Sequence, residues 1–346
     1  MSNEYEVESR FNKNYSIISR KMVRMLSENS RISISEMAKQ LGVSRYTISE
    51  KLKRLEKELG LRYTLELNEA ALGLSSPHLI AVKFRKNPNY DKIKSILLAS
   101  CIPQVAFSAS GDYDLVVYAN ALSGSEYAKW DKAMKILLSE FHAIWQPSEI
   151  IHKQLCFFPL RSEMISRTQV DPSTKQLLML LNDNARMSFQ QISKKLNMHF
   201  NTVKYNYDKL LKQGVIRRST ITLDMIKGIS FVAWFSNYSP AEGYEESSAK
   251  ARIPLFIDDE HPLINRYMLT ASLIGSHDLF SIDVFDNKAT AMKYDIKYHK
   301  SLFVKHGIKM AIGEITSLLI GRLPIRSIDP KKEYKVVQWT TKFDSP

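Results

Sequence analysis

Two stretches of the chain match at an offset of 155 residues, and this repeat decides the fold. Residues 31–48 read RISISEMAKQLGVSRYTI, and residues 186–203 read RMSFQQISKKLNMHFNTV. The apolar positions agree while the polar positions vary, which is typical of two copies of one folded unit. Weaker matches continue downstream. The second copy is about nine residues longer, and we expect the extra residues in a surface loop within 237–258.

Each copy begins with helices separated by tight turns. Apolar residues in 34–41 recur at helical spacing, as do those in 48–59. Ser33 and Ser188 are each followed three positions later by Glu or Gln, which predicts a capping box. Gly42 and Asn197 then favour left-handed helix ends. Ser44 is a good cap for the next helix, whereas His199 is predicted to be a poor one.

Three short helices with a sharp turn before the third indicate a helix-turn-helix. In such a unit the exposed face of the third helix enters the DNA major groove, where polar and cationic side chains contact bases and phosphates. The candidate DNA-binding residues on this face are Ser44, Arg45, Tyr46, Thr47, Ser49, Lys51 and Arg54 in the first copy, and Asn201, Thr202, Lys204, Asn206 and Lys209 in the second.

After the helices, each copy alternates strands with helices. The first is expected to have strands at 78–85, 104–110, 114–120 and 150–158, with helices at 91–100 and 125–141. The second is expected to have strands at 229–235, 266–274, 278–285 and 309–319, with a helix at 287–305. The order βαββαβ predicts two ferredoxin-like domains in an α+β protein. Each sheet would expose an apolar face, so we expect an internal pseudo-dimer or a homodimer.

The composition and the distribution of charge indicate which class of partner the protein binds. The 346 residues are 44% hydrophobic, and 49 Lys and Arg against 36 Asp and Glu give a net charge of +13. Residues 15–63 carry eleven Lys and Arg against five Glu, and residues 170–220 carry nine against three acids, so most of the excess lies in the predicted helix-turn-helix units. This distribution indicates an anionic partner, for which nucleic acid is the first candidate.

The sequence has no other pattern typical of a metal, cofactor or catalytic site. It has two cysteines and eight scattered histidines, so we predict no metal site, no cofactor and no catalytic residue. We expect no membrane segment and no secretory signal, and therefore a cytoplasmic location.

The arrangement resembles the Lrp/AsnC family of leucine-responsive and asparagine-sensing regulators. The similarity is carried by Arg31, Ser33, Glu36, Ala38, Leu41, Gly42, Ser44, Thr47 and Ile48, by the hairpin 111–114 (GDYD), and by the matching positions of the second copy, including the hairpin 275–278 (GSHD). It covers about 300 residues. Family members usually carry one unit per chain and dimerise, whereas this chain has two units.

The resemblance implies a transcriptional regulator that binds double-stranded DNA and is modulated by an amino acid or another small effector. It divides the chain into an extension (1–14), the first helix-turn-helix (15–63), a linker (64–77), an effector domain (78–160), a linker and second helix-turn-helix (161–220), a second effector domain (221–328) and a basic tail (329–346). Both helix-turn-helix units are expected to be either winged or plain. By the same resemblance, the hairpin residues that would contact an effector are Gly111, Asp112, Asp114, Gly275, Ser276 and Asp278.

Two alternatives stay open at this point. The architecture of siroheme decarboxylases is similar to the one predicted for this chain, and these enzymes sometimes occur as fused pairs. They carry His and Asn in the central hairpin, where this chain has Gly111 and Asp114. In the second copy, His277 and Arg266 match only part of their pattern. The second alternative is an architectural protein that coats DNA without sequence preference.

Overall fold

The computed structural model describes residues 17–154, 157–224, 230–238, 269–285 and 308–324. The first unit contains helices α1 (Ile17–Glu28), α2 (Ile34–Leu41) and α3 (Arg45–Glu58), followed by strand β1 (Arg62–Leu67). It continues with β2 (Ser76–Phe84), α4 (Tyr90–Leu98), β3 (Pro103–Gly111), β4 (Leu115–Ala121), α5 (Gly124–Leu137) and β5 (Ala143–Gln154).

The second unit follows a short helix, α6 (Ser162–Arg167). It contains α7 (Pro172–Asp183), α8 (Phe189–Leu196), α9 (Phe200–Lys212) and β6 (Ile216–Leu223). Its remaining described strands are β7 (Ser230–Tyr238), β8 (Leu269–Gly275), β9 (Leu279–Phe285), β10 (Ile308–Ile320) and β11 (Leu323–Pro324). The predicted helix at 287–305, most of the predicted loop 237–258, and both predicted terminal segments lie outside the described residues.

Eight strands from the two units form one closed barrel in the order β10-β3-β4-β2-β5-β8-β9-β7. The four strands of the first unit follow the expected βαββαβ sequence. They do not make a separate sheet, however, because β5 also pairs with β8 and β10 also pairs with β3. The prediction of two separate ferredoxin-like domains therefore needs correction: the two apolar faces cover each other inside one barrel, as in a dimer built within one chain.

Glycines allow the strands to approach at the two seams of the barrel. Gly111 has φ +149° and pairs with Gly313 across the β3–β10 seam. Gly275 has φ +131° and pairs with Ser148 across the β5–β8 seam. A Cβ atom on Gly111 would overlap the carbonyl oxygen of Ile312, and one on Gly275 would lie 3.0 Å from the carbonyl oxygen of Pro147. The predicted hairpins thus also join the two units.

Among the described residues, the apolar core consists of three clusters of buried side chains. One lies inside the barrel and combines side chains of both units, including Phe107, Tyr118, Phe235 and Phe280. A second lies under α4 and α5 and extends to α7–α9. The third fills the first helix-turn-helix and includes Ile221 and Leu223 from β6 of the second unit. The helix-turn-helix units are therefore packed against elements of the opposite copy.

A strand ribbon joins the two helix-turn-helix units. Strands β1 and β6 pair antiparallel, from Arg62 with Thr222 to Leu67 with Ile216, and β11 extends the sheet beside β6. The predicted linker 64–77 contains most of β1 and the start of β2. Successive residues of β1 from Thr64 to Leu67 are buried on both faces, so the strand lacks the alternating pattern of a half-exposed strand.

Candidate nucleic-acid interface

Helix α2, which precedes the turn before α3, begins and ends at the capping residues predicted from the sequence. Ser33 caps α2 by accepting a hydrogen bond from the Glu36 amide, and Gly42 ends that helix with φ +65°. The Glu36 carboxylate accepts from Gln40 Nε2 at 2.7 Å. In the second unit, Ser188 and Gln191 form the complete reciprocal capping box, and Asn197 ends α8 with φ +50°. In both units the second helix therefore ends at a residue with a left-handed φ, shortly before the third helix begins.

Helix α3 has one buried and one exposed face. Ile48, Leu52 and Leu55 are buried, whereas Arg45 and Arg54 are exposed, and Tyr46 is 75% exposed. An exposed tyrosine beside an exposed arginine in the first turn suits base contacts, because the N-terminal residues of a recognition helix reach deepest into the major groove. This face is the candidate DNA-binding surface of the first unit.

Two of the predicted contact residues, Ser44 and Thr47, take part in the N-terminal cap of α3. Ser44 Oγ accepts a hydrogen bond from the Thr47 amide at 3.0 Å and lies 2.9 Å from Thr47 Oγ1. Ser49 and Lys51 are half-buried on the sides of the helix. The structure thus places Ser44 and Thr47 at the start of the surface, where their hydroxyl groups orient the helix.

Acidic neighbours partly neutralise the cations of α3. Arg54 Nε contacts Glu58 Oε1 at 2.7 Å, and Lys53 Nζ contacts Glu50 Oε1 at 3.0 Å. The hydrogen bond from Lys53 to Glu50 raises the pKa of the Lys53 ammonium. These pairs are exposed, so they contribute little to stability and can exchange for phosphate contacts.

Helix α9 of the second unit presents a different surface. Val203, Tyr207 and Leu210 are buried. Tyr205 is 66% exposed and was missed by the sequence reasoning, although it lies one turn after Asn201. Phe200 stands where α3 has Arg45, and it packs edge-on against Phe189 with ring centres 6.3 Å apart. The exposed polar residues of this surface are Asn201, Thr202, Lys204 and Lys209, with Asn206 half-buried.

His199, which the sequence predicts to be a poor cap, makes a long cap bond in the structure. Its ring Nδ1 accepts a hydrogen bond from the Asn201 amide at 3.3 Å. A neutral imidazole nitrogen has a lone pair that can replace a hydroxyl oxygen in this role. The distance is longer than the 3.0 Å bond of Ser44, so we expect the weaker cap at α9.

The predicted effector residues lie at the hairpins, where Gly111 and Gly275 pair across the barrel seams. Asp112 Oδ2 accepts from the Ile312 amide at 2.8 Å, and its own amide donates to the Ile312 carbonyl. Asp114 accepts from Lys83 Nζ at 2.9 Å and from the Phe84 amide at 2.8 Å. These hydrogen bonds give both carboxylates a structural role.

The second hairpin has a comparable arrangement. Ser276 donates from its amide to the Pro147 carbonyl, and the Asp278 amide donates to the Ser236 carbonyl. His277 is buried, and its amide donates to Ser148 Oγ. Burial lowers the pKa of its imidazole to about 4, although the Asp278 carboxylate opposes the shift.

Within the described residues, no group of three or more His, Cys, Asp or Glu side chains is arranged to hold a metal ion. None of the helices in that part of the chain has both the length and the apolar character needed to cross a membrane.

Comparisons with known proteins match both helical units. An AsnC-type helix-turn-helix domain matches residues 17–56, and a winged helix-turn-helix DNA-binding domain matches residues 170–217. An uncharacterised HTH-type transcriptional regulator of Pyrococcus furiosus is 29% identical over 119 residues, which are 34% of this chain and 79% of the relative. The HTH-type transcriptional regulator FL11 of the same organism is 28% identical over 113 residues, covering 32% of this chain and 72% of FL11.

A solved structure has a similar fold over most of the chain. The siroheme decarboxylase NirDL superposes with a TM-score of 0.55, covering 92% of this chain and 96% of that protein at 11% identity. At this identity the likeness concerns the fold. The AsnC-type domain and the HTH-type relatives support the resemblance to the Lrp/AsnC family that the repeat indicates, and the two matched domains give the chain two helix-turn-helix units in one polypeptide.

Proposed function

We propose that this protein is a DNA-binding transcriptional regulator, as its relatives are named, and that one chain supplies both DNA-contacting units. The observation that carries the proposal is the exposed, cationic face of α3 on a helix whose opposite face is buried in a helix-turn-helix core. Such a face has no role in the core and is complementary to the phosphates and base edges of a duplex.

The proposed roles follow the position of each side chain. Arg45, Tyr46 and Ser49, near the start of α3, would contact base edges. Lys51 and Arg54 lie further along the helix and would contact phosphates. In α9, Asn201, Thr202, Lys204 and Asn206 would make the corresponding contacts. Ser44 would act indirectly, by capping α3 and orienting the backbone amides of its first turn.

The remaining parts of the chain would follow the family pattern. Each helix-turn-helix would be served by one βαββαβ half of the barrel, a ferredoxin-like unit fused to its partner. A small effector such as an amino acid would bind near the hairpins and change the barrel seams through Asp112 or Ser276. The protein would have no catalytic role and would act in the cytoplasm, where it meets DNA.

The test is retardation of duplexes recovered by selection from random DNA. Wild-type protein is expected to bind them selectively in the presence of excess competitor DNA. Equal binding to selected and unselected duplexes would contradict the proposal and would favour an architectural role.

A second candidate function is tetrapyrrole chemistry, favoured by the fold shared with NirDL over 92% of the chain. The central hairpins argue against it. The first places Tyr113 in the barrel with its hydroxyl bonded to the Ala233 carbonyl, and the second places His277 in a buried position beside Phe235. Incubation with an iron tetrapyrrole separates the two functions, because a shifted absorbance band abolished by His277→Ala would support the enzyme.

A further inference from the structure

The two helix-turn-helix units contact each other through a reciprocal pair of arginines. Arg31 lies in the turn between α1 and α2, and Arg186 lies at the matching position between α7 and α8. Arg31 Nη1 donates to the carbonyl oxygens of Ala185 and Met187, the second at 3.0 Å. Arg186 Nη2 donates to the carbonyl oxygen of Ile32 at 3.3 Å. Each arginine therefore contacts the turn that holds the other.

Each arginine is also connected to the recognition helix of the opposite unit. The guanidinium of Arg31 lies 4.5 Å from the ring centre of Phe189 and 5.3 Å from that of Tyr207, which belongs to the buried face of α9. The contact is direct, from the turn of the first unit to the third helix of the second.

The reverse connection passes through one tyrosine. Arg186 stacks over the ring of Tyr63 at 4.9 Å and donates to its hydroxyl at 3.3 Å. The Tyr63 hydroxyl donates in turn to Glu56 on α3. Burial raises the pKa of Tyr63, so the hydroxyl keeps its proton and remains a donor. The turn of the second unit is thereby joined to the third helix of the first.

Backbone hydrogen bonds around the arginine pair repeat the same symmetry. The Ser30 amide donates to the Ser219 carbonyl at 2.9 Å, and the equivalent Ala185 amide donates to the Tyr63 carbonyl at 3.1 Å. These bonds attach each turn to the β1–β6 ribbon. They hold the main chain, whereas the two arginines add side-chain contacts that reach the third helices, beside the packing of Ile221 and Leu223 from β6 in the core of the first unit.

We infer that Arg31 and Arg186 are positioning residues that fix the distance and orientation between α3 and α9. The inference rests on the proposed DNA-binding function. Helix-turn-helix dimers read half-sites whose spacing matches the separation of their recognition helices, about 34 Å per turn of DNA. In this chain the arginine pair sets that separation, so it determines which half-site spacing is bound and not which bases are read.

A distance measurement tests the inference without DNA. Spin labels are attached at Tyr46→Cys and Tyr205→Cys, two exposed positions on α3 and α9, in a background with Cys101 and Cys156 replaced by Ser. Pulsed electron paramagnetic resonance is expected to give a narrow distribution. In Arg31→Gln/Arg186→Gln the distribution is expected to broaden, whereas Lys21→Gln/Arg24→Gln, which removes two positive charges from α1, leaves it narrow.

Circular dichroism shows whether the double variant is folded. If it is not, the single Arg31→Gln and Arg186→Gln variants are compared, each of which leaves one of the two connections in place. An unchanged distance distribution in the folded double variant, or in both single variants, overturns the inference.

A second arm measures DNA binding to selected duplexes in which base pairs are inserted between the half-sites. Wild type is expected to lose about 10-fold or more in affinity when the spacing is wrong, because both units can then no longer bind at once. The double arginine variant is expected to lose less than about 3-fold for the same insertion. If wild type gives a narrow distance distribution but no selective DNA binding, the proposed function fails while the positioning role stands.

Discussion

The two recognition helices share one scaffold but present unequal surfaces. Helix α3 exposes Arg45 and Arg54 around Tyr46, whereas α9 has Phe200 at the position of Arg45 and exposes Tyr205 in place of Glu50. The buried faces of both helices are apolar, and both helices begin with a side-chain cap. The comparison shows that the two copies share the residues needed for folding while the exposed residues differ, and we therefore expect the two units to read different DNA sequences.

The largest expected effect comes from removing the cations of α3. Arg45→Ala/Lys51→Ala/Arg54→Ala is expected to reduce affinity for selected DNA by about 100-fold or more, since the base contact of Arg45 is worth about 1–3 kcal/mol and the phosphate contacts of Lys51 and Arg54 are lost with it. Each lost phosphate contact should also lower the salt dependence by about one unit. The matched variant in α9, Phe200→Ala/Asn206→Ala/Lys209→Ala, should lose less. Equal losses in the two variants would contradict the unequal roles.

The two barrel seams provide a stability comparison. Gly111→Ala is expected to destabilise the protein by about 2 kcal/mol or more, because it combines a left-handed φ with overlap on the Ile312 carbonyl. Gly275→Ala should cost about 1 kcal/mol, since its Cβ would lie 3.0 Å from the Pro147 oxygen. Urea denaturation measures both.

Gly124→Ala is the control for these substitutions, because it places a Cβ in open space at the start of α5 and should be neutral or slightly stabilising. A Gly275→Ala variant less stable than Gly111→Ala would show that the β3–β10 seam is not the tighter one.

The central hairpins should differ in pH dependence. His277 has a folded pKa of about 4, below the ordinary value of 6.5, because burial disfavours the imidazolium. The unfolded chain therefore binds a proton that the folded chain does not, and this contribution to stability is lost as the pH falls from about 6.5 to about 4. His277→Phe should remove that part of the pH dependence. Tyr113→Phe should lower stability by about 0.5–1.5 kcal/mol without changing the pH dependence. Parallel pH profiles for wild type and His277→Phe would rule out this account of the second hairpin.

Of the two helix caps, the cap of α9 is expected to give the smallest effect. Ser44→Ala should cost about 0.5–2 kcal/mol, whereas His199→Ala should cost about 0.5 kcal/mol or less because its cap bond is longer. His199→Ser should strengthen the second cap and raise the melting temperature. A larger loss at His199 than at Ser44 would reverse the ranking of the caps.

The sequence predicted the parts of the fold that depend on local chemistry. Ser33, Gly42 and Ser44 act within a few residues of their own positions, so their caps and turns could be recognised from spacing alone. The helix-turn-helix units and the exposed face of α3 followed from these signals. Tyr205 could have been found by the same reasoning, because its helical position relative to Asn201 places it on the exposed face.

Long-range arrangements could not be predicted in this way. Strands β1 and β6 are separated by more than 140 residues in the sequence. Part of each strand is buried on both faces, so neither strand shows a strict alternation of apolar and polar residues. The closure of one barrel depends on the edges of β5 and β10, and an apolar face looks the same whether its cover comes from the same chain or another. The contacts of Arg31 and Arg186 likewise depend on the packed structure.

The central claim is that one chain presents two unequal DNA-reading units held at a fixed separation. Selection of bound duplexes from random DNA, with light scattering used to confirm that one chain is bound per duplex, tests it most directly. The account predicts a site with two dissimilar half-sites spaced by about one helical turn or a multiple of it. Recovery of a short, perfect palindrome by a single chain would contradict it.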